Sequence, residues 1–379
     1  MKSVVRPAWA LACALLVLGG CGRHEAPEQG GATPAKSSAG QVLNLYIWSD
    51  YLAADTLSNF EKQTGIKVNV AYFDANETLE TKLLAGSSGY DLVVPTASYF
   101  ERQIKAGVYA ALDKSRLPNW KNMDPQLMQL VAMHDPDNAH GIIYMWGTNG
   151  IGYNEKMVSA LLPGVALDTW KLVLDPAYAS KLAKCGISVL DSPAEMLRAV
   201  YSYLGRDPNS QKPEDLADAE EVLMAIRPYI RSIHSSEYIE ALANRDLCVS
   251  VGYNGDVLQA RDRAREAGKG TDIRYMVPRE GTIMWFDMLA SPKDAPHPDA
   301  AYAFLDYVMQ PKVMADITNH KRFANANAAS LPMVEKSVAE DPAIYPTPDI
   351  RKRLSVQLAD SADQTRAITR VWQRFKTGQ

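Results

Sequence analysis

From Val42 onward the apolar positions recur with two alternating periods. Val42 to Trp48 is rich in β-formers with partial alternation, which predicts a strand. Leu57 and Phe60 stand at helical spacing within Asp55 to Gln63, and Gly65 follows as a stop. Ile66 to Tyr72 reads as a second strand, and Asn76 caps a helix predicted to run to Leu84 and end at Gly86. Asp91-Leu-Val-Val94 is a short buried strand ended by Pro95, with Ser98 capping the next helix. Strand–helix–strand–helix at this spacing predicts an α/β fold with a mostly parallel sheet. A second set begins near Ile151, with a strand from Ile187 to Leu190, helices over 194–204 and 213–226, a strand from Leu247 to Val251 and a helix over 256–267. From Ala300 the chain is mainly helical. Two sets predict two lobes.

Open α/β sheets bind ligands outside the carboxyl ends of their strands, so residues that directly follow strands are the candidates. Those residues are acidic or aromatic. Trp48-Ser49-Asp50-Tyr51 ends the first strand, Thr96 follows Val93-Val94-Pro95, and Asp191 and Glu195 follow Val189-Leu190. Tyr253-Asn-Gly-Asp256 follows Val249 to Val251, and Trp285-Phe286-Asp287 lies in another β-like stretch. Carboxylates beside aromatic rings suit a cation with apolar parts. An ammonium gains about 0.5–2 kcal/mol over a ring face, and a charge-assisted hydrogen bond adds about 1.5–3 kcal/mol. Each residue also has a plainer reading: Asp50 as a strand terminator, Asp256 as an acid favoured by a helix N-terminus, Asp191 as a cap for the helix at Pro193, and Trp285 and Phe286 as core.

Composition narrows the class. The 379 residues carry 40 basic and 44 acidic side chains, net −4, so the basic excess of a sequence-independent nucleic-acid binder is missing. Four cysteines cannot build a disulfide scaffold. No Gly-x-Ser-x-Gly, P-loop, His-Glu-x-x-His or Cys-x-x-Cys occurs, and Gly150-Ile-Gly152 lacks the rest of a dinucleotide fingerprint. His134, Asp135, Asp137 and His140 crowd a turn-forming run that does not match calcium-loop spacing and reads as a solvated loop. No catalytic residue, metal or cofactor is expected.

Lys2 and Arg6 precede a short apolar stretch from Ala8 to Gly20, the layout of a signal peptide over 1–20. Its end, Leu18-Gly19-Gly20-Cys21, resembles the bacterial lipoprotein signal and implies acylation of Cys21, hence a membrane anchor and periplasmic export. Residues 21–40 then read as a flexible tether reaching about 25 Å. Cys13 leaves with the signal, so Cys185 and Cys248 are the remaining candidates for a disulfide, with a pair of buried free thiols as the alternative.

From Val42 to the C-terminus the chain resembles the periplasmic polyamine-binding proteins of ABC importers, closest to the putrescine-binding type. Trp48-Ser-Asp-Tyr51, Tyr90-Asp-Leu-Val-Val-Pro95, Asn149-Gly-Ile-Gly-Tyr-Asn154, Phe286-Asp287 and Phe323-Ala-Asn-Ala-Asn327 carry the resemblance. It implies a type II periplasmic binding protein of two lobes, each with a central mostly parallel sheet flanked by helices, with ligand in the cleft. Lobe 1 is expected over 41–146 and 277–308, lobe 2 over 147–276 and 309–379. It implies a Cys185–Cys248 disulfide, hinged closure, a monomer and delivery to a membrane permease. Carried across residue by residue, the ligand contacts fall on Trp48, Ser49, Asp50, Tyr51, Thr96, Glu195, Tyr253, Asp256, Trp285, Asp287 and Phe323. Glu195, Asp256 and Asp287 would take the ammonium groups with Asp50 in support, while Trp48, Tyr51, Tyr253 and Trp285 would wall the methylene chain.

Three departures from the family bear on which amine is bound. Tyr253 replaces a tryptophan, Phe323 stands where putrescine binders have tyrosine, and Trp285 matches the spermidine type. Arg322, beside Phe323, offers a partner to a carboxylate-bearing amine. The expected function is capture of putrescine or spermidine for an importer. The alternatives are another cationic amine (cadaverine, agmatine or an amino-acid-like amine), a sensor presenting its loaded form to a signalling partner, and a glycoside-cleaving enzyme using paired carboxylates.

Overall fold

Among the described residues ten strands carry the fold: β1 (Val42–Trp48), β2 (Lys67–Phe73), β3 (Leu92–Val93), β4 (Gly141–Asn154), β5 (Ile187–Val189), β6 (Ser232–Ile233), β7 (Val249–Tyr253), β8 (Ile273–Met276), β9 (Thr282–Ala290) and β10 (Leu354–Val356). The computed structural model describes residues 41–270 and 272–379. The expected signal peptide, Cys21 and the tether lie outside the described residues.

The strand order is β2-β1-β3-β9-β4-β7-β5-β6, with β10 on β9 and β8 on β4. The wings are parallel, as strand–helix alternation predicts: β1 pairs with β2 and β3, and β5 with β6 and β7. The centre is antiparallel, because β9 and β4 run back against each other and against the wings. The sheet is therefore mixed. β4 is the shared element. Its first half pairs with β9 from Gly141↔Ala290 to Thr148↔Met284, and its second half with β7 from Asn149↔Tyr253 to Tyr153↔Val249.

Two hydrophobic clusters meet along β4. Leu45, Val93, Phe100, Ile142, Trp146 and Phe286 belong to the first, and Ile151, Ile187, Val200, Leu223, Val251 and Phe375 to the second. The sequence reading keeps 309–379 together in lobe 2. In the structure Met314, Ile317, Phe323 and Ile344 pack in the first cluster, and Ile368, Trp372 and Phe375 in the second. The helix Pro311–Lys321 follows the helix Pro298–Val308 after a two-residue break and stays on the same side. The chain reaches the second cluster only after β10 has paired with β9. Cys185 and Cys248 are disulfide-bonded with Cα atoms 5.5 Å apart, tying the approach to β5 to the start of β7.

Several local capping and loop expectations are displaced in the structure. Asn76 sits inside its helix and Ser98 lies within the helix Ala97–Lys105, whose cap position is Thr96. Asp191 does not cap the helix Pro193–Tyr203. It accepts a hydrogen bond from Trp372 Nε1 at 2.8 Å and pairs with Lys376 at 2.6 Å, docking the C-terminal helix. The run at His134 is solvated only in part: Asp137 is exposed, but His134 and Asp135 are buried, and Asp135 accepts the backbone N–H groups of His140 and Gly141 at the entry to β4.

Candidate functional site

All eleven residues singled out in the sequence line one cavity where the two halves meet. β1 ends at Trp48, and the chain turns through Ser49 and Asp50, the latter in the left-handed region at φ 56°. This turn sends Tyr51 back beneath the cavity, where its phenol donates to Asp287 Oδ2 at 2.8 Å. Thr96 Oγ1 donates to the other oxygen, Asp287 Oδ1, at 2.7 Å. Asn76 holds Thr96 in turn, donating to Oγ1 at 2.9 Å and accepting the Thr96 N–H at 3.0 Å. That is what the expected helix cap does instead.

The second half contributes two further carboxylates. Glu195 lies in the first turn of the helix Pro193–Tyr203, and Asp256 in the first turn of the helix Asn254–Glu266. Tyr253, the last residue of β7, donates its phenol to Glu195 Oε2 at 2.7 Å. Tyr238 donates to Asp256 Oδ2 at 2.8 Å. Each of the three acids is thus held by one phenol, and among the described residues none of them forms an ion pair.

Burial sets their electrostatics. It pushes Asp256 and Asp287 up to about 7, against the opposing hydrogen bonds from Tyr238 to the first and from Thr96 and Tyr51 to the second. Glu195 is also raised by burial, with Tyr253, Ser192 and Asn149 pulling the other way. Burial and the adjoining carboxylates hold the phenols of Tyr51, Tyr238 and Tyr253 well above their ordinary value, so they remain donors. Asp287 is the extreme case, a buried carboxylate that forms no ion pair among the described residues, an arrangement that costs free energy until a positive charge arrives, whereas Arg263 and Lys321 act on Asp256 without pairing with it.

The aromatic side chains form a continuous edge-to-face wall. Tyr51 meets Phe323 at 5.4 Å, Phe323 meets Trp285 at 5.5 Å, and Trp285 meets Tyr253 at 5.8 Å between ring centroids. Trp48 stands apart against Phe73, its indole N–H donating to Val94 O at 2.8 Å. The indole N–H of Trp285 is buried and has no hydrogen-bond partner among the described residues.

Two residues are placed differently from expectation. Asp50 lies at the rim with its side chain 58% exposed, and Arg263 of the second half pairs with it at 3.6 Å. Arg322 is not a free partner for a ligand carboxylate, because it donates to Asp262 at 2.9 Å. The sequence reading missed Asp74, Glu77 and Gln357, which line the cavity, and Tyr238, which stands behind it. Asp74 and Glu77 follow the end of β2 and satisfy the strand-end rule that found the others, whereas Gln357 follows β10, a strand of three residues with no pattern to reveal it.

Among the described residues the lining holds seven carboxylates and no lysine, arginine or histidine. An acid-lined, ring-walled cavity between two α/β halves joined by a shared strand defines a two-lobed solute receptor. Residues 56–347 match the family of bacterial extracellular solute-binding proteins, and the chain belongs to that family. It is a binding protein and not an enzyme. The chain is 50% identical over 340 residues to the putrescine-binding periplasmic protein PotF of Escherichia coli, covering 89% of this chain and 92% of that one. It is 48% identical over 345 residues to the putrescine-binding periplasmic protein SpuD of Pseudomonas aeruginosa, covering 91% and 94%. Among solved structures, a putative spermidine/putrescine ABC transporter protein from Listeria monocytogenes superposes with a TM-score of 0.80 at 29% identity, covering 89% of this chain and all of that one. The fold is that of the type II periplasmic binding proteins. Among the described residues no helix is long and apolar enough to cross a membrane, and no group of side chains is arranged to hold a metal ion.

Proposed function

We propose that this protein captures a linear polyamine in the cleft and delivers it to the permease of an ABC importer. One observation carries the reading: three carboxylates in one ring-walled cavity are held only by neutral donors, so their charge is left for the guest. Asp287, Asp256 and Glu195 take the ammonium groups, and Trp285, Phe323, Tyr253 and Trp48 flank the methylene chain. Ser49, Tyr51 and Thr96 orient the acids or add hydroxyl contacts, and Asp50 serves at the rim. The names of relatives support this class, since they include putrescine-, putrescine/agmatine- and putrescine/cadaverine-binding proteins. The same names keep cadaverine and agmatine as alternative guests, and Trp285 favours spermidine. The lobes divide along β4, near 146–150, and close over the ligand as a monomer. Export by the segment 1–20 and acylation of Cys21 belong to the same reading.

Calorimetry with putrescine, cadaverine, spermidine and agmatine tests it. One of them binding with a stoichiometry of about one supports the proposal, and no heat from any of the four overturns it. For the anchor, Cys21→Ser releases the protein from the membrane fraction; retention there counts against lipidation.

A further inference from the structure

Tyr238 does not line the cavity, yet its hydroxyl joins two of the cavity's walls. It is the first residue of the helix Tyr238–Asn244 and is 1% exposed. Its ring packs against β7: a Cβ on Gly252 would stand 2.6 Å from Tyr238 Cε2, so the glycine is what admits the ring. The oxygen accepts the backbone N–H of Tyr253 at 3.0 Å and donates to Asp256 Oδ2 at 2.8 Å. One atom thereby references the end of β7, which carries Tyr253 and through it Glu195, to the first turn of the next helix, which carries Asp256.

We infer that Tyr238 is a positioning residue for cation capture, fixing Asp256 and the Tyr253–Glu195 pair in one geometry. The inference rests on the polyamine reading above. The phenol fills one lone pair of Oδ2. The other contact to the carboxylate is from Gln259 Nε2 at 3.5 Å, too long to orient it firmly. The remaining charged groups near Asp256 are Asp50, Arg263 and Lys321; none of them forms an ion pair with it among the described residues, so none replaces the phenol as a hinge for the carboxylate. Without the hydroxyl, Asp256 is free to rotate and its charged form loses a donor.

The test is calorimetry of the full chain with putrescine between pH 6 and 9. Tyr238→Phe is expected to weaken binding about tenfold at pH 7 and to move the midpoint of the pH profile upward, because a donor to the charged form is removed. In an Asp256→Asn background the same change is expected to cost clearly less than in the parent, the remainder being the part carried through Tyr253 to Glu195. Parent-like affinity with an unmoved midpoint overturns the inference, and so does a loss that persists in full beside Asp256→Asn. If the parent binds no amine, the polyamine reading fails by itself, and carbon NMR of the Asp256 carboxyl still decides the role of Tyr238. A higher titration midpoint in Tyr238→Phe upholds positioning, and an unchanged midpoint refutes it.

Discussion

Asp287 is 6% exposed and accepts hydrogen bonds from two hydroxyls, and among the described residues no cation pairs with it. Its folded value of about 7 lies above the ordinary 3.8, so the stability this group lends is present below about pH 4 and is lost as pH rises through 7. Asp287→Asn keeps the shape and removes the charge, and Thr96 Oγ1 can turn from donor to acceptor. The empty variant is therefore expected to melt at a higher temperature than the parent at pH 8, and the gap narrows at pH 5. Its affinity for a diamine falls about 10- to 100-fold, the worth of one charge-assisted hydrogen bond. Melting curves at the two pH values and calorimetry check both halves. Asp256 titrates in the same range, so at pH 7 each of the two acids is about half protonated. A bound dication needs both ionised, and binding should release about one proton, weakening as pH falls below 7. Binding enthalpies in phosphate and Tris buffers, which differ in ionisation heat, measure that proton directly. Glu195 and Asp256 were legible in the sequence because they follow strands, and Asp287, inside β9, because it stands beside Trp285 and Phe286 in a β-like run. The pairing of each acid with its phenol was not, since Tyr51 lies 236 residues from Asp287 and no local pattern couples them.

At the scale of elements, short amphipathic segments were the most legible. β1, and the helix Thr56–Thr64 closed by Gly65 at φ 75°, stand within a residue of where the periodicity puts them. β4 was not foreseen as a strand across its whole length. All fourteen of its residues are buried, so nothing alternates, and its glycines read as loop or cofactor signals. Their purpose is close approach. At Gly147 a Cβ would stand 2.6 Å from Trp285 Cζ2 and would also overlap the Asn254 side chain. Gly147→Ala is expected to push the indole toward the cavity, costing about 1–3 kcal/mol of stability for overpacking and weakening amine binding by roughly tenfold. Tryptophan emission and calorimetry on the same sample check the two effects together, and unchanged affinity would mean that the indole does not wall the ligand.

Across the whole molecule the halves are joined unequally. β4 is continuous through both clusters, whereas at the cleft mouth Asp50 and Arg263 form a half-exposed pair of the kind worth about 0–1 kcal/mol. The disulfide lies entirely on the second side, where Cys248 is part of the hydrophobic cluster and Cys185 packs against it. It closes a sequence separation of 63 residues, for which loop entropy gives about 4 kcal/mol. That constraint acts on the unfolded chain and not on the cavity, whose lining includes neither cysteine. Replacing both cysteines with serine is therefore expected to lower the melting temperature while leaving amine affinity at 25 °C within about twofold. The melting temperature lost should return in part when the cavity is filled, because ligand binding stabilises only the folded state. Scanning calorimetry with and without putrescine separates the two contributions. If the serine variant kept its melting temperature but lost affinity, the bond would be shaping the site and not stabilising the fold.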